Sequence, residues 1–260
     1  MHSTIDVDRD QVLALLRAAG LRAEPIPHAD GRTCDLRAQD GDVDYLLEVK
    51  GVHDNEEVDA TLRDVGTYNA YREIAPSAGV LRRIEWAVKQ IRDTARGAHD
   101  ALWLVALVAR GPLWSSAIFE QILATLYGMG TVADLVPTPG PTRKCLYLRE
   151  SAFHKHRLDL DGVILIANSA VGFCINDHSE RAQRMRGSRL GGFFSTHGLL
   201  HDAARLEREG GFLIADCETD RTNEHTVLQS LAGKYGFKRP VALRSYAFLD
   251  AFSVSRELSE

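Results

Sequence analysis

Asp35, Glu48 and Lys50 supply two carboxylates and an ammonium group from which a hydrolytic centre can be assembled. They lie in TCDLRAQDGDVDYLLEVKG, residues 33–51, which reads as a β-hairpin: Thr33–Ala38, a turn at Asp40-Gly41, then Asp42–Lys50. Asp-Gly between strand-like runs is a strong hairpin signal, because Gly accepts the backbone angles the turn needs. Side chains alternate along a strand, so Leu46, Glu48 and Lys50 share one face and Leu47 and Val49 the other. A symmetric turn pairs Ala38 with Val43, Arg37 with Asp44 and Asp35 with Leu46. Glu48 is then the diagonal neighbour of Asp35, roughly 7–8 Å away between backbones. Two carboxylates so placed can converge on one hard cation, with Lys50 next along the same face. Metal-assisted phosphodiester hydrolysis needs oxygen ligands for a Mg²⁺-type ion and a cation beside the attacking water.

The flanking segments indicate how that hairpin is held. Val12, Leu13, Leu15 and Leu16 recur at helical spacing over Asp10–Ala19, with Gly20 as the stop. Asp6, Asp8 and Asp10 cluster at its start, where the helix dipole favours acids. Leu21–Ile26 is a short strand ended by Pro25 and Pro27. Residues 52–78 are acidic and irregular, an insertion or lid, with Tyr68 and Tyr71 as anchors or stacking groups. Leu81, Ile84, Val88, Ile91 and Ala95 then form the apolar stripe of a helix over Gly79–Arg96. Ala101–Ala109 is a near-continuous apolar run, the pattern of a strand buried on both faces. Strand, crossover helix and buried strand imply parallel pairing through a right-handed connection.

In this setting of helix, three strands, helix and strand, Cys34-Asp35, twelve residues and Glu48-Val49-Lys50 resemble the PD-(D/E)xK nuclease superfamily. The Pro that often precedes the first acid there is Cys34 here, and the resemblance covers roughly the first half of the chain. It implies an α/β fold with a restriction-endonuclease-like core on a mixed sheet, followed by a C-terminal α+β region. It further implies that Asp35, Glu48 and the backbone carbonyl of Val49 hold Mg²⁺ or Mn²⁺, with Asp6 or Asp10 adding a carboxylate from the first helix. Lys50 would orient or activate the attacking water, and Gln90 from the second helix would position the site. DNA is the expected substrate, RNA the alternative, and a homodimer the expected assembly. A non-catalytic nucleic-acid-binding or assembly protein on the same fold is the competing expectation.

With 260 residues, 45% hydrophobic and 26% charged, the chain has material for one large domain or two modest ones. VPTPGPT, residues 136–142, reads as a linker or rigid loop dividing a core at 1–135 from a region at 143–260. Within the latter, strands are expected at Cys145–Arg149, Gly162–Ile166, Val171–Ile175 and Phe212–Cys217, and helices at Gly198–Glu209 and Glu224–Tyr235. A net charge of −5 argues against a general nucleic-acid coat protein but not against a nuclease. No run approaches a membrane span, and MHSTIDVDRD lacks the layout of a signal peptide. Cys34, Cys145, Cys174 and Cys217 are widely spaced without a CxxC pair, so a reduced, cytoplasmic protein is expected.

Other groupings compete for a role. Arg181, Arg184, Arg186 and Arg189 in SERAQRMRGSRLGG suit either a flexible phosphate clamp or a solvated face. His154, Lys155, His156 and Arg157 form a second basic cluster open to the same two readings. His197 and His201 have helical metal-ligand spacing but no third ligand, and a polar helix start explains them more simply. Asp159 with Asp161, and Asp216 with Glu218, read as turn and capping acids.

Overall fold

The computed structural model describes residues 4–27, 33–53, 70–95, 100–110, 115–136, 140–167, 170–215 and 218–249. Helix α1 (Thr4–Ala18) leads into strands β1 (Arg22–Pro25), β2 (Leu36–Asp40) and β3 (Val43–His53). After β4 (Ala70–Glu73) come α2 (Ala78–Thr94) and β5 (Leu102–Arg110). The chain continues through α3 (Ser115–Tyr127), β6 (Gly130–Asp134), β7 (Arg143–Leu146), α4 (Ala152–Lys155), β8 (Gly162–Ala167) and β9 (Ala170–Ile175). It ends with α5 (Ala182–Gly187), α6 (Arg189–Thr196), β10 (Leu200–His201), α7 (Ala203–Arg208), β11 (Phe212–Ile214), α8 (Glu224–Tyr235), β12 (Pro240–Leu243) and β13 (Tyr246–Leu249). The result is a mixed α/β fold with eight helices among the described residues.

A seven-stranded mixed sheet, in the order β1-β2-β3-β5-β8-β9-β10, carries the hairpin near one edge. The pairs β3–β5 and β5–β8 are parallel, as the apolar run of β5 requires, since helices cover both its faces. Strands β8, β9 and β10 come from beyond the expected 136–142 break, yet they complete this sheet. The physical reason is β8, GVILIA, which is buried at every position and needs a hydrogen-bonded neighbour on each side. Four further strands, β11-β7-β6-β12, form a smaller sheet, and β13 pairs with β4.

The hairpin turns one residue later than expected. Asp40 pairs with Val43 and Leu36 with Leu47, leaving Gly41-Asp42 as a two-residue loop. Gly41 takes φ 55°, the first-position glycine of a type II′ hairpin turn. The side chains keep their faces, because the pairing has moved by an even number of positions. Leu47 and Val49 pack with Val12, Leu13 and Leu16 of α1, whereas Leu46 and Val52 pack with Val80, Ile84, Val88 and Ile91 of α2. Glu48 and Lys50 therefore lie on the α2 side of the sheet.

The largest departure from expectation is at 178–202. Instead of a basic loop followed by a helix over Gly198–Glu209, the chain forms α5 and α6, then β10, then α7. Ser188 caps α6 by accepting the Gly191 N–H at 3.1 Å. A Cβ on Gly191 would come 2.4 Å from the Met185 carbonyl, so this glycine serves close packing rather than flexibility. Asp202 caps α7 through the Ala204 N–H at 3.1 Å.

Candidate active site

The corrected register sets Asp35 directly opposite Glu48, one position beyond the Leu36–Leu47 pair. Both acids are buried, Asp35 at 7% and Glu48 at 1% exposure. Asp35 is fixed by the backbone: its Oδ2 accepts the Val49 N–H at 2.8 Å, and its carbonyl accepts the Ile26 N–H at 3.0 Å. Lys50 Nζ donates to Glu48 Oε1 and, at 2.7 Å, to Gln90 Oε1 on α2. Four of the residues singled out from sequence, Asp35, Glu48, Lys50 and Gln90, thus meet in one place.

Two contacts outside the expected set hold Gln90 in register with the strands. Thr94 Oγ1, one turn after Gln90, accepts the Cys34 N–H at 2.7 Å. Arg83 Nε donates to the Gly51 carbonyl at 3.0 Å. The helix is thereby tied to the residue before Asp35 and to the residue after Lys50. Arg83, Trp86, Gln90 and Thr94 run down this flank of α2 at i, i+3, i+7 and i+11, and Trp86 is 63% exposed. The helical periodicity contained these positions, but nothing in residue type distinguished Thr94 or Trp86 from an ordinary solvent-facing flank.

The electrostatics suit a cation. Burial, and then the Asp35 carboxylate beside it, push the Glu48 carboxyl up to about 7 in spite of the hydrogen bond from Lys50. Glu48 Oε2 is buried and has no hydrogen-bond partner among the described residues. A buried carboxylate oxygen left without a donor next to a second carboxylate is an arrangement that a divalent ion would complete. Among the described residues no group of three His, Cys, Asp or Glu side chains could hold a metal, so any ion here would rest on this pair and on oxygens of other origin. The Cys34 thiol is pushed up to about 12, first by burial and also by these acids, and is no nucleophile.

The other sequence candidates lie elsewhere. Asp10 is exposed on α1, which packs against the opposite face of the sheet. Its neighbour Asp8 is buried and paired with Arg110 Nε at 2.6 Å. The side chain of Asp6 lies outside the described residues, as do Tyr68, Asp216 and Cys217 and the side chain of Tyr71.

The four arginines read as either a phosphate clamp or a solvated face make contacts with the chain itself. Arg181 meets the fully buried Asp161 at 3.0 Å, bonds the Ala101 carbonyl at 3.0 Å and covers the Trp103 ring at 4.9 Å. Arg184 donates to the carbonyls of Asp100 and Asp42. Arg186 joins Asp177 and Asp202, and Arg189 meets Asp40 at 3.0 Å. These contacts pin α5 and α6 to the ends of the sheet strands.

His201 is on β10 and His197 follows α6, so the helical spacing that could have joined them on one metal is absent. His197 Nδ1 lies 2.8 Å from the Phe193 carbonyl, and the His201 ring lies 5.7 Å from Phe119. Asp159 pairs with Arg92. Cys34, Cys145 and Cys174 are free and buried. No helix among the described residues is long and apolar enough to cross a membrane. No protein-family model matches the chain, and no curated protein or solved structure matches it either.

Proposed function

We propose that the chain is a divalent-metal-dependent nuclease in which α1, β1, β2, β3, α2 and β5, with β4 inserted before α2, form a restriction-endonuclease-like core. The observation that carries this reading is the meeting of Asp35, Glu48, Lys50 and Gln90 around a buried carboxylate oxygen that lacks a donor. Asp35 and Glu48, with the Val49 carbonyl, would hold Mg²⁺ or Mn²⁺. Such an ion supplies a Lewis acid for a phosphate oxygen and lowers the pKa of bound water. The chain's own contribution is geometric and electrostatic. The Val49 N–H fixes the Asp35 carboxylate, so little reorganisation is needed when charge arrives. Gln90 holds the Lys50 ammonium at the rim, where it can orient a water and offset charge building on the phosphorane-like transition state. Exposed Trp86 beside Gln90 offers a face on which a base can stack.

The second reading, a non-catalytic nucleic-acid-binding or assembly protein, draws on one observation: Lys50 already neutralises Glu48 without any ion. The two readings part in one experiment. Supercoiled, linear duplex and single-stranded DNA, and RNA, are incubated with the protein in Mg²⁺, Mn²⁺ or EDTA. Metal-dependent scission of any of these supports the nuclease. Retention of a nucleic acid with no scission in either metal supports the second reading and overturns the first.

A further inference from the structure

A cavity of about 990 Å³ opens between the start of α2, the end of α3, α4 and the turns at 147–151 and 218–222. It is separate from the candidate active site. Pro76, Ala78 and Leu81 give the cavity an apolar lining at the start of α2, beside the capping Ser77, while Arg149, His154, Arg157, His178 and Arg221 supply cations and imidazoles. The rings of His154 and His178 meet edge to face at 5.3 Å, and Tyr147 lies against His178 at 4.5 Å.

Among the described residues, two arginines of the cavity meet carbonyls rather than carboxylates, as Arg83 and Arg184 do elsewhere in the fold. Arg92, Arg110, Arg181, Arg186 and Arg189 are each matched with a carboxylate. Arg157 and Arg221 instead bond backbone carbonyls, of His154 at 3.4 Å and of Thr219 at 2.6 Å, and form no ion pair among the described residues. Lys155, also on the rim, is taken up by Glu85 at 2.6 Å. Three acids border the cavity, Glu150, Glu218 and Asp220. Asp220 accepts from the backbone and hydroxyl of its neighbour Thr222, at 2.9 and 2.7 Å.

The field at the histidines follows from this placement. His178 is pushed down to about 4, first by burial and then by His154, Arg221 and Arg157. His154 is lowered by burial and by the same two arginines, with Glu218 the weakest influence upon it. Both rings are thus held neutral at pH 7, and Arg157 and Arg221 are left as cations of a concave site, a situation an anion relieves. The backbone adds to the case. Tyr147 holds φ 59°, a left-handed conformation costly for a bulky residue and characteristic of ligand clamps.

We propose that this cavity binds a phosphate-bearing small molecule with a flat heterocyclic ring, of the size of a nucleoside diphosphate. Arg157, Arg221 and the histidine pair take the phosphates, and the apolar lining at the start of α2 takes the ring. The volume lies at the upper end of the range for small-molecule sites and exceeds what inorganic phosphate alone would fill. A planar guanidinium is well matched to phosphate oxygens, whereas the half-buried histidines supply ring nitrogens as further partners. The inference does not depend on the nuclease reading.

The test is calorimetric titration of the full chain, in EDTA, with inorganic phosphate, pyrophosphate, adenosine and ADP. ADP should bind at micromolar concentration, pyrophosphate at least tenfold more weakly, and phosphate and adenosine more weakly still. Arg157→Gln and Arg221→Gln should each weaken ADP binding tenfold or more. Arg157 is exposed and Arg221 half-buried, and each bonds a carbonyl only two or three residues away, so circular dichroism and melting without ligand should match wild type. Lys50→Ala should bind ADP as wild type does, which separates this cavity from the candidate active site. Binding of ADP that both arginine variants leave unchanged overturns the proposal. So does adenosine binding as tightly as ADP, or no binding of any probe at millimolar concentration. Displacement of ADP by a single-stranded oligonucleotide at equal phosphate concentration would assign the cavity to a polymer and overturn the small-molecule assignment.

Discussion

Replacing Glu48 by Gln should make the metal-free protein more stable at neutral pH. Glu48 is buried beside Asp35, and its carboxyl is raised from the ordinary 4.5 to about 7. A raised carboxyl means that the folded chain binds more protons than the unfolded chain between those values. Stability therefore falls as pH rises through that window and stays low above it. At 1.36 kcal/mol per pKa unit, the cost reaches about 3 kcal/mol at pH 8 but only about 1 kcal/mol at pH 5. The hydrogen bond from Lys50 is already included, since it opposes the rise. Glu48→Gln keeps the shape and removes the ionisation. In urea denaturation with EDTA, the variant should gain up to about 3 kcal/mol over wild type at pH 8 and no more than about 1 kcal/mol at pH 5. Adding Mn²⁺ at 100 times its Kd should restore about 2.7 kcal/mol to wild type and nothing to the variant. A variant less stable than wild type at pH 8, or a difference independent of pH, would refute the reasoning.

Three other outcomes follow from particular contacts. Arg181→Ala leaves the fully buried Asp161 carboxylate without its cation and should cost about 3–5 kcal/mol in chemical denaturation, which a phosphate clamp on the surface would not. Gly128→Ala should be severely destabilising or prevent folding, because φ is 58° and the added Cβ would sit 2.1 Å from the Arg149 carbonyl; the melting temperature and soluble yield report it. Trp86→Ala should weaken single-stranded DNA binding in EDTA by about 1–3 kcal/mol, read by fluorescence anisotropy, with the fold unchanged because the ring is exposed.

The parts of this fold legible in sequence are those where local pattern and tertiary need agree. The α2 stripe and the buried β5 run each carry a periodicity that packing then reinforces, and Gly41 marks that a hairpin turn is made here. Which faces Asp35, Glu48 and Lys50 occupy was equally legible, because strand alternation survives an even shift in pairing. The turn position was not, since Gly41 can serve as the first or second loop residue, and only the closed sheet selects between them. How Arg181, Arg186 and Arg189 are held could not be read from spacing, since their partners Asp161, Asp177, Asp202 and Asp40 are brought in by long-range folding. Likewise, a Pro-rich stretch at 136–142 announces a break in local structure but does not say whether the sheet resumes beyond it.

The account rests on Asp35 and Glu48 holding the ion while Lys50 serves the chemical step. Single-turnover cleavage and Mn²⁺ binding, measured together on wild type, Asp35→Asn and Lys50→Ala, test that division most directly. Wild type should bind Mn²⁺ and cleave. Asp35→Asn should lose both, and Lys50→Ala should still bind Mn²⁺ but cleave at least about 10²-fold more slowly, the scale on which one transition-state contact is lost. Cleavage at the wild-type rate by Lys50→Ala, or Mn²⁺ binding untouched in Asp35→Asn, would contradict the account and place the reactive centre elsewhere.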